Sequence, residues 1–322
     1  MASTAARRPP SETTLFPPPW RPLLTAARWY VRYGPGIALK RALLHEWLDV
    51  GLRQNPHRPM TVRTRQGARI RVRTTEDLIM RSLYTSGCWE PNVSAFIAAR
   101  LRPGDGFLDI GANLGYYTVL ASQLVGPRGV VVAVEPAPAM HAELLANTAL
   151  NRCRNVRTVR AAITDSPGEV SLYIPHTGNL GATTTLKPDH HVKQLSVPGL
   201  PLADAISTVE LEQARVIKVD VEGAEGTVLD SLAPLLNHLR PDAEIVVEIS
   251  PERLAVGQRS VESLLAPFFD HGMHPYRLVN SYMPEDYPVM LRRPTAPVRI
   301  RGPITAQTDV VLSCVDAESL SV

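Results

Sequence analysis

Apolar residues recur at intervals of three and four between residues 23 and 54, a spacing typical of amphipathic helices. Gly34-Pro35-Gly36 interrupts this pattern, so we expect two helices. Residues 1–22 precede them and are rich in proline. A segment of this composition cannot bury enough apolar surface to offset the cost of ordering it. We therefore expect a disordered or extended arm over residues 1–22.

Basic residues accompany both this helical segment and the strands that follow it. Residues 61–65 and 68–73 flank Gln66-Gly67, which predicts a β-hairpin. The helical segment carries Arg28, Arg32, Lys40 and Arg41, and the hairpin carries Arg63, Arg65, Arg69, Arg71 and Arg73. Both basic faces are expected to be solvated. The alternatives are contact of the helix with a membrane surface and binding of a phosphate or acidic substrate by the hairpin. Together these elements form an N-terminal helical and hairpin extension over residues 23–100.

From residue 101 to residue 322, short β-rich runs alternate with helical stretches, which indicates a mostly parallel sheet with helices on both faces. Seven strands are expected in this sheet, over residues 106–110, 130–134, 156–162, 215–219, 243–248, 275–279 and 308–313. Helices are expected near 115–124, 138–150, 224–237 and 260–270. Residues 168–174 form an extra strand, and 175–200 and 280–305 are predicted to be long loops, which are commonly lids or binding segments.

Composition narrows the class of protein only slightly. The net charge of +3 argues against a strong phosphate footprint, so we expect no nucleic-acid partner. No run approaches the roughly 18 apolar residues of a membrane span, so no stable membrane insertion is expected. The three cysteines form no close pair, which disfavours a disulfide framework or a zinc cluster and suggests a cytoplasmic protein.

The strongest motif is Asp109-Ile110-Gly111-Ala112-Asn113-Leu114-Gly115, between an apolar strand and an apolar helical pattern. Open α/β sheets bind nucleotides at such a turn. The spacing G-x-x-x-G differs from the G-x-G-x-x-G of dinucleotide-binding proteins. The carboxylate of Asp109 would repel a pyrophosphate but suits the cationic amino group of a methionine moiety, which it would position directly or through water. Asp109, Gly111, Asn113 and Gly115 are therefore candidate cofactor contacts.

Two further candidates end the next strands. Glu135 ends the second strand, some 20 residues on, where an acidic residue accepts hydrogen bonds from ribose hydroxyls. Ala162, at the end of the third predicted strand, is the other candidate cofactor contact.

With these residues the sequence resembles the FkbM-type methyltransferases over about residues 60–250. The resemblance rests on four features, which are the run from Gly104-Asp105 to Tyr116-Tyr117-Thr118, Glu135-Pro136 with Asn147 and Asn151, the block Lys218-Val219-Asp220-Val221-Glu222-Gly223-Ala224-Glu225 followed by Val228-Leu229, and Glu248. It implies a Rossmann-like class I methyltransferase fold, S-adenosyl-L-methionine as cofactor, and O-methylation of a hydroxyl on a small molecule or sugar. The loop from Gly178 to Thr184 departs from the family pattern, since it has threonines where a serine is expected.

The block around Asp220 supplies the candidate catalytic residues. Lys218 and Asp220 are two positions apart at a strand end and share one face. If the fourth and fifth strands are neighbours, Asp220, Glu222 and Glu248 gather at the carboxyl edge of the sheet, near the transferred methyl group. Asp220 or Glu222 is the candidate general base, with Lys218 as its partner. The alternative is an ion-pair network that only shapes the strand end.

Three histidines are further candidates at the same edge. His176, His190 and His191 lie in the predicted loop over it, where a histidine could serve as the base or be an ordinary exposed residue. His190, His191 and Glu248 are candidate substrate contacts. Asp220 and Glu248 are suitable magnesium ligands, but two acids do not make a full site, so we expect no metal.

Three other functions compete with O-methylation of a natural product or sugar. A nucleic-acid or other N-methyltransferase is disfavoured because the fourth strand is followed by Asp220-Val221-Glu222-Gly223 and not by an Asp/Asn-Pro-Pro-aromatic run. A catalytically inactive cofactor-binding scaffold is disfavoured by the intact acids. An NAD-dependent oxidoreductase lacks its glycine motif. The oligomeric state is open, and a homodimer is one alternative.

Overall fold

The computed structural model describes residues 20–54, 59–75, 77–175 and 191–322. The expected proline-rich arm lies largely in residues 1–19, outside the described residues. The first helix, α1, spans Trp20–Tyr33 and so begins three residues before the expected start of the helical segment. Pro22 is tolerated there because the first turn of a helix leaves its N–H groups unpaired.

The rest of the extension follows the sequence pattern closely. After a break at Gly34-Pro35-Gly36 the chain is helical through Ala38–Ala42 (α2), a π-helical stretch Leu43–Asp49, and Val50–Gln54 (α3). Strands β1 (Met60–Arg63) and β2 (Arg69–Val72) form the predicted antiparallel hairpin. Helices α4 (Leu78–Thr85) and α5 (Pro91–Arg100) lead into the main sheet.

The hairpin is held to the main domain by two asparagines. Asn147 lies in helix α7 (Pro138–Leu150), and Asn151 is the residue directly after that helix. The backbone N–H groups of Arg69 and Arg71 donate to the side-chain oxygens of Asn151 and Asn147, at 2.8 Å each. The Nδ2 of Asn147 also donates to the carbonyl of Leu114 at 2.8 Å. Two carboxamides one helical turn apart thus take the place of a neighbouring strand for β2.

In the part of the chain that the structure describes, the main sheet has eight strands, one more than predicted. Its strands are β3 (Gly106–Ile110), β4 (Val130–Val134), β5 (Val156–Val159), β9 (Ala214–Val219), β10 (Glu244–Ile249), β11 (His274–Arg277), β12 (Val298–Arg299) and β13 (Thr308–Ser313). They lie in the order β12-β11-β13-β10-β9-β3-β4-β5. Five adjacent strands of this sheet, β5, β4, β3, β9 and β10, are parallel. Strand β13 is antiparallel to both of its neighbours, β10 and β11. The additional strand is the short β12.

Two predicted segments were wrong in part. The third strand ends at Val159, and Ala162–Ile163 (β6) instead joins a separate sheet of order β6-β8-β7, with Gly168–Pro175 as β7 and His191–Leu200 as β8. The second half of the predicted loop 175–200 is therefore a strand. Pro198-Gly199 suggests a turn in the sequence, but Pro198 is tolerated because β6 pairs only with residues 199 and 200.

The predicted loop 280–305 also contains regular structure. A 3₁₀ turn at Pro284–Asp286 leads into helix α13 (Tyr287–Arg292), and β12 follows. The remaining helices are α6 (Tyr116–Val125), α8 (Leu202–Ala205), α9 (Thr208–Gln213), α10 (Glu225–Leu232), α11 (Pro251–Val256) and α12 (Val261–Asp270), with 3₁₀ turns at Gly126–Arg128 and Ala233–His238.

The strands are buried on both faces, so successive side chains enter two different cores. Phe107 packs in the core that also holds α5, α6 and the extension, while Leu108 packs in the core formed with α10 and α12. The first core runs without interruption from Leu24 in α1 to Val311 in β13. In the described part of the chain, no helix has both the length and the apolar character needed to cross a bilayer.

Candidate active site

A cavity of about 370 Å³ opens at the carboxyl ends of the parallel strands. Its walls include Gly111 and Asn113 after β3, Glu135 after β4, and Asp220 after β9. Glu222 and Glu248 also line it, because β9 and β10 are parallel neighbours. Ala162 lies on the same wall as Glu135. The cavity therefore brings together most of the residues selected from the sequence.

The glycine turn has a conformation that a side chain would disrupt. Gly111 has φ +88°, and a β-carbon placed on it would lie 1.8 Å from the carbonyl oxygen of Asp220. Gly115 does not line the cavity; it allows α6 to begin close to Leu144, whose Cδ1 would be 2.6 Å from an added β-carbon. Asn113 also adopts a positive φ, of 52°. The turn thus brings backbone, rather than side chains, close to the cavity.

Glu135 is held at the cavity wall by backbone donors. The N–H groups of Asn113 and Ala137 donate to its two carboxylate oxygens, each at 2.8 Å. The residue is only 7% exposed. Burial raises the pKa of Glu135 to about 7, although the two backbone hydrogen bonds oppose the rise.

Asp109 lies behind the wall and not on it. Its side chain is buried, with the residue 1% exposed, and accepts a hydrogen bond of 2.5 Å from the Thr118 hydroxyl. Burial raises the pKa of Asp109, and the charge of Lys218 opposes the rise. Asp109 is not among the residues that line the cavity, and its positioning of a methionine amino group, directly or through water, stays a prediction.

Lys218 is a buried cation among carboxylates. Its Nζ donates to Oδ2 of Asp220 at 2.6 Å and lies 4.7 Å from the centre of the Tyr117 ring. Burial opposes the charge, but three surrounding carboxylates outweigh that effect and raise the pKa of Lys218. They belong to Asp220, Glu90 and Asp109. Lys218 does not reach the main cavity, so its position is that of a partner to Asp220.

Glu222 and Glu248 share one arginine. Arg253 donates to Glu222 at 3.0 Å and to Glu248 at 3.5 Å, and the Tyr282 hydroxyl donates to Glu248 at 2.8 Å. Burial, with the neighbouring charge of Asp220, raises the pKa of Glu222 to about 7 despite Arg253. A carboxylate with this pKa gains and loses its proton near neutral pH.

Two acids of the site, the buried Glu90 and the half-buried Asp309, were not selected from the sequence. Glu90 lines the cavity and accepts hydrogen bonds from the Tyr117 hydroxyl at 2.7 Å and from Asn280 at 3.0 Å. Asp309, at the start of β13, shares with it a small cavity of about 10 Å³ beside Lys218. Burial raises the pKa of both acids. The available signals were an acid within the apolar run Cys88-Trp89 before Pro91 and an acid in a β-rich run.

The three histidines of the predicted loop lie outside the described residues or at their edge. His176 and His190 lie outside the described residues, as does the loop from Gly178 to Thr184, and His191 is described only as part of β8. Within the described ranges, no group of three or more His, Cys, Asp or Glu side chains is arranged to hold a metal ion.

Taken in chain order, the parallel strands of the sheet lie 3-2-1-4-5, with an antiparallel strand, β13, beside the fifth. A cavity lies at their carboxyl ends, with an acidic residue at the end of the second strand and further acids at the fourth and fifth. This combination defines the class I fold of the S-adenosylmethionine-dependent methyltransferases.

Comparison with known proteins identifies the group within that class. The Methyltransferase FkbM domain matches residues 109–273, which is 165 of the 322 residues. The chain belongs to the FkbM methyltransferase domain family. It is 28% identical over 179 residues to the 31-O-demethyl-FK506 methyltransferase FkbM of Streptomyces tacrolimicus, a match that covers 47% of this chain and 66% of that protein.

Two solved structures have a similar fold at low sequence identity. One is a SAM-dependent O-methyltransferase from Thermotoga maritima, with a TM-score of 0.38 and 13% identity over 82% of this chain and 79% of that one. The other is an rRNA methylase from Streptococcus thermophilus, with a TM-score of 0.38 and 11% identity over 69% of this chain and 93% of that one.

Proposed function

We propose that this protein transfers a methyl group from S-adenosylmethionine to a hydroxyl group of a small metabolite, such as a natural product, or of a sugar. The observation that carries the proposal is the arrangement of the cavity, where Glu135 lies on one side and the acids Asp220, Glu222 and Glu248 lie on the other. The name of the Streptomyces relative, which describes O-methylation of a small molecule, supports the same choice.

The residues present fit S-adenosylmethionine. Glu135 would accept hydrogen bonds from the ribose hydroxyls, and the apolar side chains of Met140, Ile163 and Leu172 line the cavity beside it and would contact the adenine. Gly111 lets the backbone approach closely. When bound, the cofactor supplies an electrophilic methyl group on a sulfonium.

Among the acids, Glu222 is the best candidate for the general base. Its pKa of about 7 allows it to take a proton from a hydroxyl near neutral pH. Arg253 restrains its carboxylate. Asp220 is instead fixed by Lys218 at 2.6 Å, which favours a positioning and electrostatic role. Glu248, held by Arg253 and Tyr282, would orient the acceptor.

The lining of the cavity also favours a neutral acceptor with an apolar surface. Trp89 and Tyr282 lie with ring centres 5.8 Å apart, and Leu78 and Ile79 extend this apolar wall. Glu248 at the same edge would repel the phosphates of a nucleic acid. A neutral molecule with an apolar surface and a free hydroxyl fits such a wall better than a polyanion. We further propose that the reaction takes place in the cytoplasm, which the three free cysteines support.

Calorimetric titration with S-adenosylhomocysteine tests the cofactor part of the proposal. We expect micromolar binding by the wild type, no binding of NAD, and binding at least about tenfold weaker for Glu135→Gln, which loses a charged acceptor. Glu252→Gln is the matched control, since Glu252 is exposed and does not line the cavity. Equal affinity of both variants would remove Glu135 from the cofactor site, and binding of NAD alone would contradict the class of cofactor.

Transfer of a labelled methyl group tests the acceptor. The protein is incubated with labelled S-adenosylmethionine and panels of hydroxylated natural products, sugars and RNA. We expect label in a hydroxylated small molecule, at a rate reduced about 10²- to 10⁴-fold in Glu222→Gln because a base is lost. Incorporation into RNA would refute the proposed acceptor class. Cofactor binding without transfer to any acceptor would favour an inactive scaffold.

A further inference from the structure

A second pocket lies in the N-terminal extension and shares no lining residue with the active-site cavity. Its volume is about 350 Å³. Three elements form its walls: the end of α1 with Arg32 and Tyr33, the hairpin turn over residues 63–67, and Ser86 after α4. Three arginines, Arg32, Arg63 and Arg65, therefore face one space.

The positive charge of this pocket is not compensated by the protein. In the ranges that the structure describes, no carboxylate lies within ion-pair distance of Arg32, Arg63 or Arg65. Burial, together with the charges of Arg28 and Arg65, lowers the pKa of Arg32 to about 10. Arginines crowded together without an acid nearby favour the binding of an anion.

Backbone carbonyls hold the arginines in place without neutralising them. Arg32 donates to the carbonyls of Thr85 at 3.2 Å and Arg63 at 2.7 Å, as well as to two more in α4. Arg65 donates through Nε to the backbone carbonyl of Ser86 at 3.1 Å and through Nη2 to the Arg32 carbonyl at 3.3 Å. The Nη1 group of Arg65 has no such bond to the described residues, so a preorganised donor remains for a ligand.

Ser86 provides an independent indication of a ligand. The residue is 1% exposed, and its hydroxyl oxygen has no hydrogen-bond partner among the described residues. A buried hydroxyl without a partner is unfavourable, and most such groups in proteins are satisfied. Ser86 is one of the residues that line the basic pocket, so an anionic oxygen bound there is the candidate partner for this hydroxyl.

An exposed apolar stripe on α1 leads to the same pocket. Trp29 is 60% exposed and Tyr33 66%, they are one helical turn apart, and their rings are 6.0 Å apart. The opposite face of the helix is buried through Leu24, Ala27 and Val31, so the stripe is a second apolar surface. Tyr33 belongs both to the stripe and to the pocket wall.

We propose that this pocket binds the phosphate group of an anionic phospholipid and that α1 rests on the bilayer surface through its exposed stripe. Tryptophan and tyrosine are the residues that favour the boundary between water and lipid, and arginines beside them match the negative charge of such a surface. A soluble phosphate ester would account for the arginines and Ser86, but it would leave the apolar stripe uncovered.

Co-sedimentation of the full chain with vesicles tests this proposal. We expect binding to vesicles of phosphatidylcholine with phosphatidic acid and none to phosphatidylcholine alone. The substitutions Arg63→Gln and Arg65→Gln should each weaken binding to the anionic vesicles about fivefold. The double variant Trp29→Ser/Tyr33→Ser should bind at least about tenfold more weakly. Arg128→Gln, an exposed arginine outside the extension, should bind like the wild type.

Separate measurements make the proposal falsifiable. All variants should bind S-adenosylhomocysteine as the wild type does, because the two cavities share no residue, and this establishes that they are folded. Binding of inorganic phosphate or glycerol 3-phosphate by the soluble protein, without binding to vesicles, would overturn the lipid assignment. Equal binding of wild type and arginine variants to anionic vesicles would overturn the pocket. A dimer that dissociates in the Trp29→Ser/Tyr33→Ser variant would assign the stripe to a second copy.

Discussion

The α-carbon of Gly111 lies so close to the carbonyl oxygen of Asp220 that a β-carbon on Gly111 would be 1.8 Å from that oxygen. The backbone N–H of Asp220 also donates to the carbonyl of Ile110 at 2.9 Å. These contacts join the turn after β3 to the acidic block after β9. The contact between these two segments at the cofactor cavity therefore requires glycine at position 111, because any side chain there would overlap Asp220.

Gly111→Ala should prevent the turn from closing and lower the free energy of unfolding by about 2–4 kcal/mol, through the overlap and the positive φ. Binding of S-adenosylhomocysteine should be lost. Gly104→Ala is a matched control: Gly104 also has a positive φ, of +97°, but an added β-carbon meets no atom within 4 Å. The free energy of unfolding of Gly104→Ala should fall by about 1 kcal/mol, from the backbone conformation alone. Thermal unfolding and calorimetry measure both effects, and equal losses in the two variants would contradict the steric argument.

Lys218→Met should leave the surrounding carboxylates without their buried cation. We expect a loss of about 3 kcal/mol in the free energy of unfolding at pH 8, since Asp220 is partly hydrated and removal of one partner of a buried pair typically costs about 3–5 kcal/mol. The loss should shrink toward pH 5, because Glu90 and Asp109 have raised pKa values and can become neutral. Lys40→Met is the control. Lys40 has a lowered pKa from burial and from Arg65, and its loss should change stability by less than about 0.5 kcal/mol.

The raised pKa of Glu135 predicts that the stability of the folded protein decreases as the pH rises. Its folded-state pKa is about 7, above the value near 4.5 expected when unfolded, so its contribution to stability is fully present below about pH 4.5 and is lost as the pH rises to about 7. The loss amounts to about 3 kcal/mol at most. Urea unfolding of wild type and Glu135→Gln between pH 4.5 and 8 should show this extra slope only in the wild type.

Affinity for S-adenosylhomocysteine should change in the opposite direction. It should increase through pH 7, because the carboxylate is the better hydrogen-bond acceptor for ribose hydroxyls. Affinity independent of pH in the wild type would contradict the contact between Glu135 and the ribose.

Arg81 and Asp49 form a buried pair that holds the π-helical stretch to α4. The Nε of Arg81 is 2.5 Å from Oδ1 of Asp49, and both residues are buried. Arg81→Met should lower the free energy of unfolding by about 3–5 kcal/mol, and much of the loss should be recovered in Arg81→Met/Asp49→Leu. The exposed pair of Arg41 with Asp286 provides the control, with a loss below about 1 kcal/mol for Arg41→Met. Chemical denaturation of the four proteins would decide, and an unrecovered double variant would refute the electrostatic explanation.

The fold could be predicted from local patterns because the strands of a parallel sheet are apolar on both faces. Strands β3 and β4 have the expected bounds for this reason, and the antiparallel β13 has them because its apolar run Val310-Val311-Leu312 is also buried. Strand β8 was missed because Pro198-Gly199 resembles a turn and only the pairing with β7 and β6 overrides it. The strand β12 is two residues long, too short to show a period.

Part of the site could be predicted because motif residues follow strands directly, and the ends of parallel strands meet at one edge. Asp220, Glu222 and Glu248 lie together for that reason. Glu90 comes from a different element, before α5, and only tertiary packing brings it to Lys218. The burial of Asp109 behind the wall could not be seen either, because strand alternation does not show which strand residues the ligand reaches.

Asn147 and Asn151 have a consequence for where this protein can be divided. They bind the backbone of the hairpin strand β2, and Asn147 at the same time binds the turn that forms the cofactor site. A fragment that begins at residue 101 would expose these carboxamides together with the half of the core that contacts the extension. We therefore expect the methyltransferase fold and its N-terminal extension to unfold as one cooperative unit. We also expect a fragment that begins at residue 101 to aggregate, because it would expose this apolar surface.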